Sequence, residues 1–388
     1  MPHDFASSPE HAPDDHLDIS IVMPCLDEAE TVGICVAKAR SWLAGSGLRG
    51  EVVVVDNGST DGSQEIATRE GARVVDETAR GYGRAYVRGF AEARGDIIVM
   101  GDSDDTYDFS DLSGLIAPLD QGADMVLGNR FTGGIKPGAM PFFHRHLGSP
   151  VINLILRVFF KVNVGDSQSG LRAFRRSRLE DLHLSSGGME LASEMIVRAV
   201  RAGFKIVEVP APYSARLGES KLNTVRDGWR HLRFLLVAAP DFLFILPGLV
   251  LFLLGVLVFA LSFLSPSGVE IGSVSWQPIF AGTILVAVGA NALIFGVIAK
   301  LHGVASGLLA EDRLVRLYRR AFALESMLLL AFLLALLGLA LDLFLFVAYS
   351  SGSHVSIGLQ LAALAQTLLI VGSQVGLAAF LIVTVETR

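Results

Sequence analysis

Three carboxylates stand within four positions in Gly101-Asp-Ser-Asp-Asp-Thr-Tyr-Asp108, directly after the apolar run 97–100. Asp102 and Asp104, two residues apart on an extended backbone, point to the same side. Like charges this close repel and raise their own pKa values unless a cation screens them. A hard divalent ion, Mg²⁺ or Mn²⁺, is the natural screen, and such ions take one or two carboxylates together with substrate phosphate oxygens. The cluster therefore predicts a nucleoside-diphosphate ligand bridged by metal. It is not an EF-hand loop, because the Gly and Glu that such a loop needs at its sixth and twelfth positions are missing. An acidic turn without a ligand is the plainer alternative, and two further polar motifs weigh against it.

Pro24-Cys-Leu-Asp-Glu28 leaves one short apolar run, and Val55-Asp-Asn-Gly-Ser-Thr-Asp61 leaves another. Asp56 is placed to accept from a base or ribose, while Gly58 and Gly62 allow a tight turn close to a ligand. The same residues also read as an ordinary turn before a helix capped at Thr60 or Asp61.

Elements must hold these motifs together. Continuous apolar runs predict strands over 19–23, 51–55, 72–75, 96–100, 125–128 and 205–209, with helical spacing over 30–43, 63–70, 83–93 and 190–202. Strand and helix alternate, so the expectation is an α/β, doubly wound, parallel sheet, in which ligands bind at the carboxyl ends of the strands. The polar motifs fall at those ends.

The last third is different in kind. Apolar spans run over 241–264, 278–301, 324–347 and 358–385, each close to the ~20 residues a helix needs to cross ~30 Å of hydrocarbon. Lys300, Arg313, Arg316, Arg319 and Arg320 lie between the second and third spans, whereas loops 265–277 and 349–357 hold no Lys or Arg. Positive charge collects on the cytoplasmic side. The expected protein is thus a multi-pass cell-membrane protein with its head, middle loop and Arg388 facing the cytoplasm. The chain of 388 residues is 51% hydrophobic with a formal net charge of −7, a balance that argues against nucleic acid as a partner. Cys25 and Cys35 match no metal or redox spacing and read as buried thiols. Residues 1–16 are polar and Pro-rich and read as a disordered tail, followed by an α/β head at 17–224, a juxtamembrane amphipathic helix at 225–240 and an all-α four-helix transmembrane domain at 241–388.

Two stretches carry both apolar and cationic stripes. In 225–237, Arg226, Arg230 and Arg233 share one stripe and Val225, Trp229, Leu232 and Leu236 another; in 147–161, Val151, Ile155, Phe159 and Phe160 accompany Arg157 and Lys161. Both read as interfacial helices with snorkelling cations. A core helix of the head is the alternative.

Pro-x-Leu-x-Glu, Val-Asp-Asn-Gly-Ser-x-Asp-Gly and the Asp-x-Asp after a strand resemble the family 2 glycosyltransferases of GT-A fold, specifically the polyprenyl-phosphate (dolichol-phosphate type) mannosyl- and glucosyltransferases. The likeness covers about residues 18–237 and extends in order to Gly128-Asn-Arg130-Phe, Arg145-x-x-x-Ser149, Asp166-Ser-Gln-Ser-Gly-Leu-Arg172, Gly188-Met-Glu-Leu-Ala-Ser-Glu194 and Arg216-Leu-Gly-Glu-Ser-Lys221. Several relatives carry Asp-Ala-Asp-Leu-Gln where this chain has Asp-Ser-Asp-Asp-Thr. A metal ligand on that Gln is therefore replaced locally by Thr106 or Asp105.

The resemblance implies roles. Pro24, Leu26, Glu28 and Asp56 would frame the nucleotide, with Arg216 and Lys221 closing over its diphosphate about Gly218. Asp102 and Asp104, with Thr106, would hold Mg²⁺ or Mn²⁺. Arg130, Arg145 and Ser149 match positions that hold an acceptor phosphate, and Gln168, Arg172, Glu190 and Glu194 would contact sugar hydroxyls or brace the clamp. The implied reaction is inverting transfer of one hexose from a nucleotide sugar to a polyprenyl phosphate at the cytoplasmic membrane face. A phosphate monoester with a second pKa near ~6 is already largely dianionic, so no strong general base is needed. UDP-glucose is the favoured donor over GDP-mannose from the Gly-Asp-Ser-Asp-Asp-Thr and Gly-Met-Glu-Leu variants. A homo-oligomer is compatible with paired spans. The rivals are a processive polysaccharide synthase, whose Gln-x-x-Arg-Trp is absent here, and a membrane scaffold or lipid-flipping protein with an inactive head.

Overall fold

The computed structural model describes residues 16–218, 224–271, 274–305, 307, 309, 311, 313–321 and 323–386. Most of residues 1–16, and Lys221 and Arg388, thus lie outside the described residues. By its internal contacts the chain forms two compact units, 1–235 and 236–388.

The first unit follows the order β1 (Ile19–Cys25), α1 (Val32–Ser46), β2 (Gly50–Asp56), α2 (Ser63–Arg69), β3 (Arg73–Asp76), α3 (Tyr82–Glu92), β4 (Ile97–Met100), α4 (Ser113–Asp120), β5 (Met125–Asn129), α5 (Arg130–Gly133), α6 (Ser149–Phe160), β6 (Arg172–Arg175), α7 (Leu191–Arg201), β7 (Ile206–Pro210) and α8 (Thr224–Val237). The strands form one sheet in the order β3-β2-β1-β4-β6-β5-β7. Core side chains cover both faces. Ile19, Ile21, Met23, Val52 and Val54 point to a cluster with α1, α2 and α4, while Val22, Val53 and Val55 point to one with α3, α6 and α7. Strands buried on both sides must be apolar at every position, which is why their sequences read as unbroken runs. Each such Val or Ile contributes ~1.5–3 kcal/mol by leaving water.

The sheet corrects the wholly parallel expectation, since β6 runs antiparallel between β4 and β5. Its four residues begin and end in arginine and show no apolar run. Burial comes from pairing, with Phe174 between Ile98 and Met125 and Ala173 between Val99 and Val126. Helix α4 was likewise not expected. Pro118 sits near its end and its eight residues are too few for a clear period.

Helix α6 is preceded by a π-helical turn, His144–Gly148. Ile152, Ile155, Leu156 and Phe160 pack against the α3–α7 core, so Ile155 and Phe160 do not belong to its outward apolar face. The exposed stripe is instead Leu147, Val151, Leu154 and Val158. On α8, Asp227, His231 and Leu235 are buried, while Arg226, Trp229, Arg230 and Arg233 are exposed.

The second unit holds α9 (Leu246–Leu264), a hairpin of β8 (Val269–Ile271) and β9 (Val274–Trp276), α10 (Pro278–Ala305), α11 (Arg313–Ala321), α12 (Leu324–Ser350) and α13 (Gly358–Glu386). Among the described residues, four helical segments are long and apolar enough to cross a membrane, including Asp241–Leu264 and Leu324–Ser350. α10 packs on α9 and α13, and α13 packs on α12. Glycine permits the close approach of α9 and α10: a Cβ on Gly289 would meet the Phe252 nitrogen at 2.4 Å, and one on Gly255 the Val286 nitrogen at 2.6 Å. Leu and Phe side chains such as Leu343 and Phe346 stay exposed along α12. That outward surface suits hydrocarbon and not water.

Candidate active site

The carboxyl ends of β1 and β2 are stitched by side chains. The Asp27 and Glu28 amides donate to Ser59 Oγ and Ser63 Oγ, each at 2.8 Å, and the Ala29 amide donates to Asp61 Oδ2 at 2.9 Å. In return the Thr60 amide donates to Asp27 Oδ1 at 2.7 Å. Asp27 holds φ 50°, a left-handed conformation for a non-glycine residue that this exchange supports. Asp56 is buried and accepts from the Gly58 and Ser59 amides and from Gln64 Nε2 at 2.7 Å. Burial raises its pKa, but Ser59, Gln64 and the turn amides outweigh this and hold the carboxyl below its ordinary range. Pro24 and Leu26 lie half-buried beside it, and the Pro24 carbonyl accepts from Ser103 Oγ at 2.6 Å, tying β1 to the acidic loop. Asp27 and Asp61 are therefore structural members that the sequence roles did not name, though both sit inside the recognised motifs.

At the end of β4, Asp102 Oδ1 accepts from Tyr82 at 2.9 Å and Tyr86 at 3.0 Å. Burial pushes the Asp102 carboxyl up to about 6, with the charge of Asp104 adding to the rise and the two tyrosines and Arg130 opposing it. Asp104 Oδ1 accepts from Thr106 Oγ1 at 2.6 Å, and its Oδ2 accepts from Arg216 Nη1 at 3.1 Å. Arg216 Nη2 also donates to Glu28, so one guanidinium bridges the β1 loop and the acidic loop. Its Nε is buried and has no hydrogen-bond partner among the described residues. Thr106 thus braces Asp104, and Asp105 turns away to pair with Lys38 at 2.7 Å. No cluster of three His, Cys, Asp or Glu suited to a metal occurs among the described residues. The donor set still fits a hard cation: it is all oxygen, and the repulsion that Asp102 feels from Asp104 is what such an ion relieves. Phosphate oxygens and water would have to complete the sphere.

Arg130 begins α5 and is buried. Its Nε and Nη2 meet the Asp166 carboxylate at 2.7 and 2.8 Å, its amide donates to Asp166 Oδ2 at 2.9 Å, and the Tyr213 ring lies 5.1 Å from its guanidinium carbon. Burial works against its charge, but Tyr107 and Asp166 overcome that and keep it protonated. His144 lies close enough to Arg130 for that charge, together with burial, to lower its pKa. His144 was missed because the two histidines of Phe143-His-Arg-His146, two residues apart, match no metal or catalytic spacing. Arg145 is exposed on the same π-helical turn, and Ser149 is buried at the start of α6. Arg130 lies close enough to Asp102 for its charge to act on that carboxyl, whereas among the described residues no ion pair joins Arg145 to either.

The remaining candidates differ in exposure. Arg172 is fully buried and gives its guanidinium to the carbonyls of Ser167, Ser169 and Ala192 at 2.9 to 3.0 Å. Glu194, also fully buried, pairs with Arg198 at 2.8 Å and accepts from Ser185 and Ser186. Both side chains are taken up by partners within this chain. Gln168 is half-buried and donates to Ser167 and Ser193, and Glu190 accepts from the Gly188 amide while its other oxygen is unpartnered. Lys221 lies outside the described residues.

Residues 20–182 match the family described as glycosyl transferase family 2, and residues 297–386 match the glycosyltransferase family 2 C-terminal transmembrane region. Over 281 residues the chain is 42% identical to the low-salt glycan biosynthesis hexosyltransferase Agl6 of Haloferax volcanii, covering 72% of this chain and 67% of that one. A dolichyl-phosphate hexose transferase of the same organism is 33% identical over 54% of this chain and 89% of its own length. A dolichol-phosphate mannosyltransferase of Pyrococcus furiosus is 29% identical over 56% of this chain and 63% of its own.

Proposed function

Because this chain belongs to glycosyl transferase family 2, with a transmembrane region of the same family, we propose that it transfers one hexose from a nucleoside-diphosphate sugar to a polyprenyl phosphate, inverting the anomeric carbon. The observation that carries the reading is the junction of charges at the strand ends. Asp102 and Asp104 sit beside a half-buried cation, Arg216, and within the field of a buried one, Arg130.

Pro24, Leu26, Glu28 and Asp56 frame the nucleotide in this reading. Mg²⁺ or Mn²⁺ held by Asp102 and Asp104 would neutralise the leaving diphosphate. Without donor, Arg216 neutralises Glu28 and Asp104; with donor, its unpartnered Nε and freed fork turn to the diphosphate about Gly218, whose φ of 82° already suits a pivot. Lys221 belongs to the same sequence motif as Arg216 and lies outside the described residues. A lipid phosphate oxygen, held by Arg130 with Arg145 and Ser149, attacks the anomeric carbon; the bond to the diphosphate oxygen breaks and its electron pair leaves with the nucleoside diphosphate. The dianion needs no base, so positioning and charge neutralisation supply the catalysis. Glu190, half-buried, is the member of its group suited to sugar hydroxyls, and Gln168, whose amide nitrogen is spent on Ser167 and Ser193, supports the site with Arg172 and Glu194.

The exposed stripe Leu147–Val151–Leu154–Val158 and the exposed Trp229, Arg230 and Arg233 support contact of α6 and α8 with a bilayer surface. Charge asymmetry of the loops supports a cytoplasmic head. UDP-glucose is the favoured donor. A donor screen with the full-length protein and one polyprenyl phosphate, read by mass of the lipid product, tests the function. One added hexose that requires divalent metal is expected, with Asp104→Asn lowering kcat about 10²–10³-fold. Polymer would point to a processive synthase, and metal-free turnover by Asp104→Asn would remove the role of the acidic pair.

A further inference from the structure

A chain of side-chain hydrogen bonds crosses the head from α6 to α8 by way of loop 165–170. Asn153 of α6 donates to the Gly165 carbonyl at 2.6 Å and accepts from Ser167 Oγ at 2.5 Å and from the Ser167 amide at 3.2 Å. Gln168 Nε2 donates to Ser167 Oγ at 3.1 Å and to Ser193 Oγ of α7 at 3.2 Å. Ser193 Oγ meets His231 Nδ1 of α8 at 2.9 Å. Ser193 Oγ accepts from Gln168 and keeps both its proton and a second lone pair for the histidine, so the bond to Nδ1 forms in either neutral tautomer of the ring. His231 is 7% exposed, and burial pulls its pKa down to about 4, so the ring is neutral at physiological pH.

The loop in the middle of this chain is stiff for a further reason. Arg172 holds the carbonyls of Ser167 and Ser169 and, on α7, that of Ala192. The same loop carries Asp166, which fixes Arg130 at two points. Of the two helices with exposed apolar and cationic side chains, α6 is thus bonded directly to the segment that aims the buried guanidinium, and α8 is joined to it through Ser193 of α7.

We propose that His231, Ser193 and Asn153 are positioning residues for the acceptor phosphate: through loop 165–170 they tie α6 and α8 to Asp166 and so set the guanidinium of Arg130. This rests on the reading of Arg130 as an acceptor-phosphate ligand. None of the three touches substrate. Their effect is on where Arg130 points, and the donor side of the site, built on β1, β2 and β4, does not share their bonds.

The test compares the full-length protein with His231→Leu, His231→Asn and Ser193→Ala in nanodiscs containing polyprenyl phosphate. Asn keeps an acceptor near the place of Nδ1, whereas Leu does not. His231→Leu and Ser193→Ala are expected to raise KM for polyprenyl phosphate about threefold to tenfold, the worth of a hydrogen bond or two. KM for the nucleotide sugar should stay unchanged, and His231→Asn should recover most of the loss. Equal shifts in both KM values, no shift at all, or an Asn variant as impaired as Leu would overturn the proposal. Amide hydrogen exchange on the same samples decides independently of turnover. Faster exchange across 165–170 and 128–134 in His231→Leu and Ser193→Ala, and not in His231→Asn, supports the linkage, and unchanged exchange in all three overturns it. A wild-type protein that adds no sugar to polyprenyl phosphate would sink the acceptor reading alone.

Discussion

Arg130 and Asp166 meet in the interior at two points, and removing Asp166 would strand a buried cation at a cost of ~3–5 kcal/mol. Arg145, exposed and without that partner, is the cheaper residue to move. His231 yields a pH prediction because burial is the main cause of its depressed pKa, with Arg172 adding to the effect and Asp227 opposing it. The unfolded ring takes up its proton near pH 6.5 and the folded ring only near pH 4. Stability from this group is therefore complete above pH 6.5 and falls as pH drops toward 4, by about 3 kcal/mol at most. Thermal unfolding of the detergent-solubilised chain should lose more stability between pH 7 and 5 in the wild type than in His231→Asn. Identical pH profiles would show that His231 does not titrate as its burial requires. The sequence made the acidic pair, Arg130 and Arg216 legible because they stand in ordered motifs. It left His231 and Ser193 unread, since their contact spans 38 residues and depends on how α7 and α8 pack. Arg172 and Glu194 were legible as motif members, but their full burial was not, because an Arg bonded to three carbonyls has the same letter as one facing a ligand.

At the scale of elements, α6 divides its apolar residues between two destinations. Ile152, Ile155, Leu156 and Phe160 serve the core, and Leu147, Val151, Leu154 and Val158 form an outward line at spacings of four, three and four. Leu147 is 58% exposed and Leu154 56%, which in water would be a standing cost. Burying one such Leu in a bilayer surface contributes ~1.5–3 kcal/mol, so Leu154→Asp should weaken use of a bilayer-embedded polyprenyl phosphate about tenfold or more. The folded head should barely notice, because exposed sites away from caps and pairs change stability by roughly 0.5 kcal/mol or less. A short-chain, water-soluble isoprenyl phosphate gives the control. If Leu154→Asp impairs both acceptors equally, the stripe does not act through the bilayer. Helical period alone put Ile155 and Phe160 on the outward face, since a helix apolar on two sides offers no polar stripe to fix its rotation. The strands were easier: burial on both sheet faces leaves apolar runs at 21–23 in β1, 52–55 in β2 and 125–127 in β5, whereas β6 draws its burial from β4 and β5 and announces nothing locally.

For the whole molecule, topology follows from where charge would have to cross hydrocarbon. Moving a Lys or Arg through the centre of a bilayer costs at least ~2.5–3.5 kcal/mol each on insertion scales. Arg313, Arg316, Arg319 and Arg320 cluster between the second and third spans, Lys300 lies toward the end of the second, and loops 265–277 and 349–357 have none, so the proposed arrangement keeps that cluster and the head on the cytoplasmic side. The chain is well suited to a thiol-labelling test. Burial pushes the Cys25 thiol up to about 11 and the Cys35 thiol up to about 12, leaving both inert and hidden, so the native background is low. Glu70→Cys in the head, Arg316→Cys on α11 and Ser353→Cys after α12 each introduce an exposed thiol. On intact cells a membrane-impermeant maleimide should label Ser353→Cys alone, and after permeabilisation it should label all three. Labelling of Glu70→Cys on intact cells would place the head outside, away from cytoplasmic nucleotide sugars, and the proposed reaction could not then draw on them.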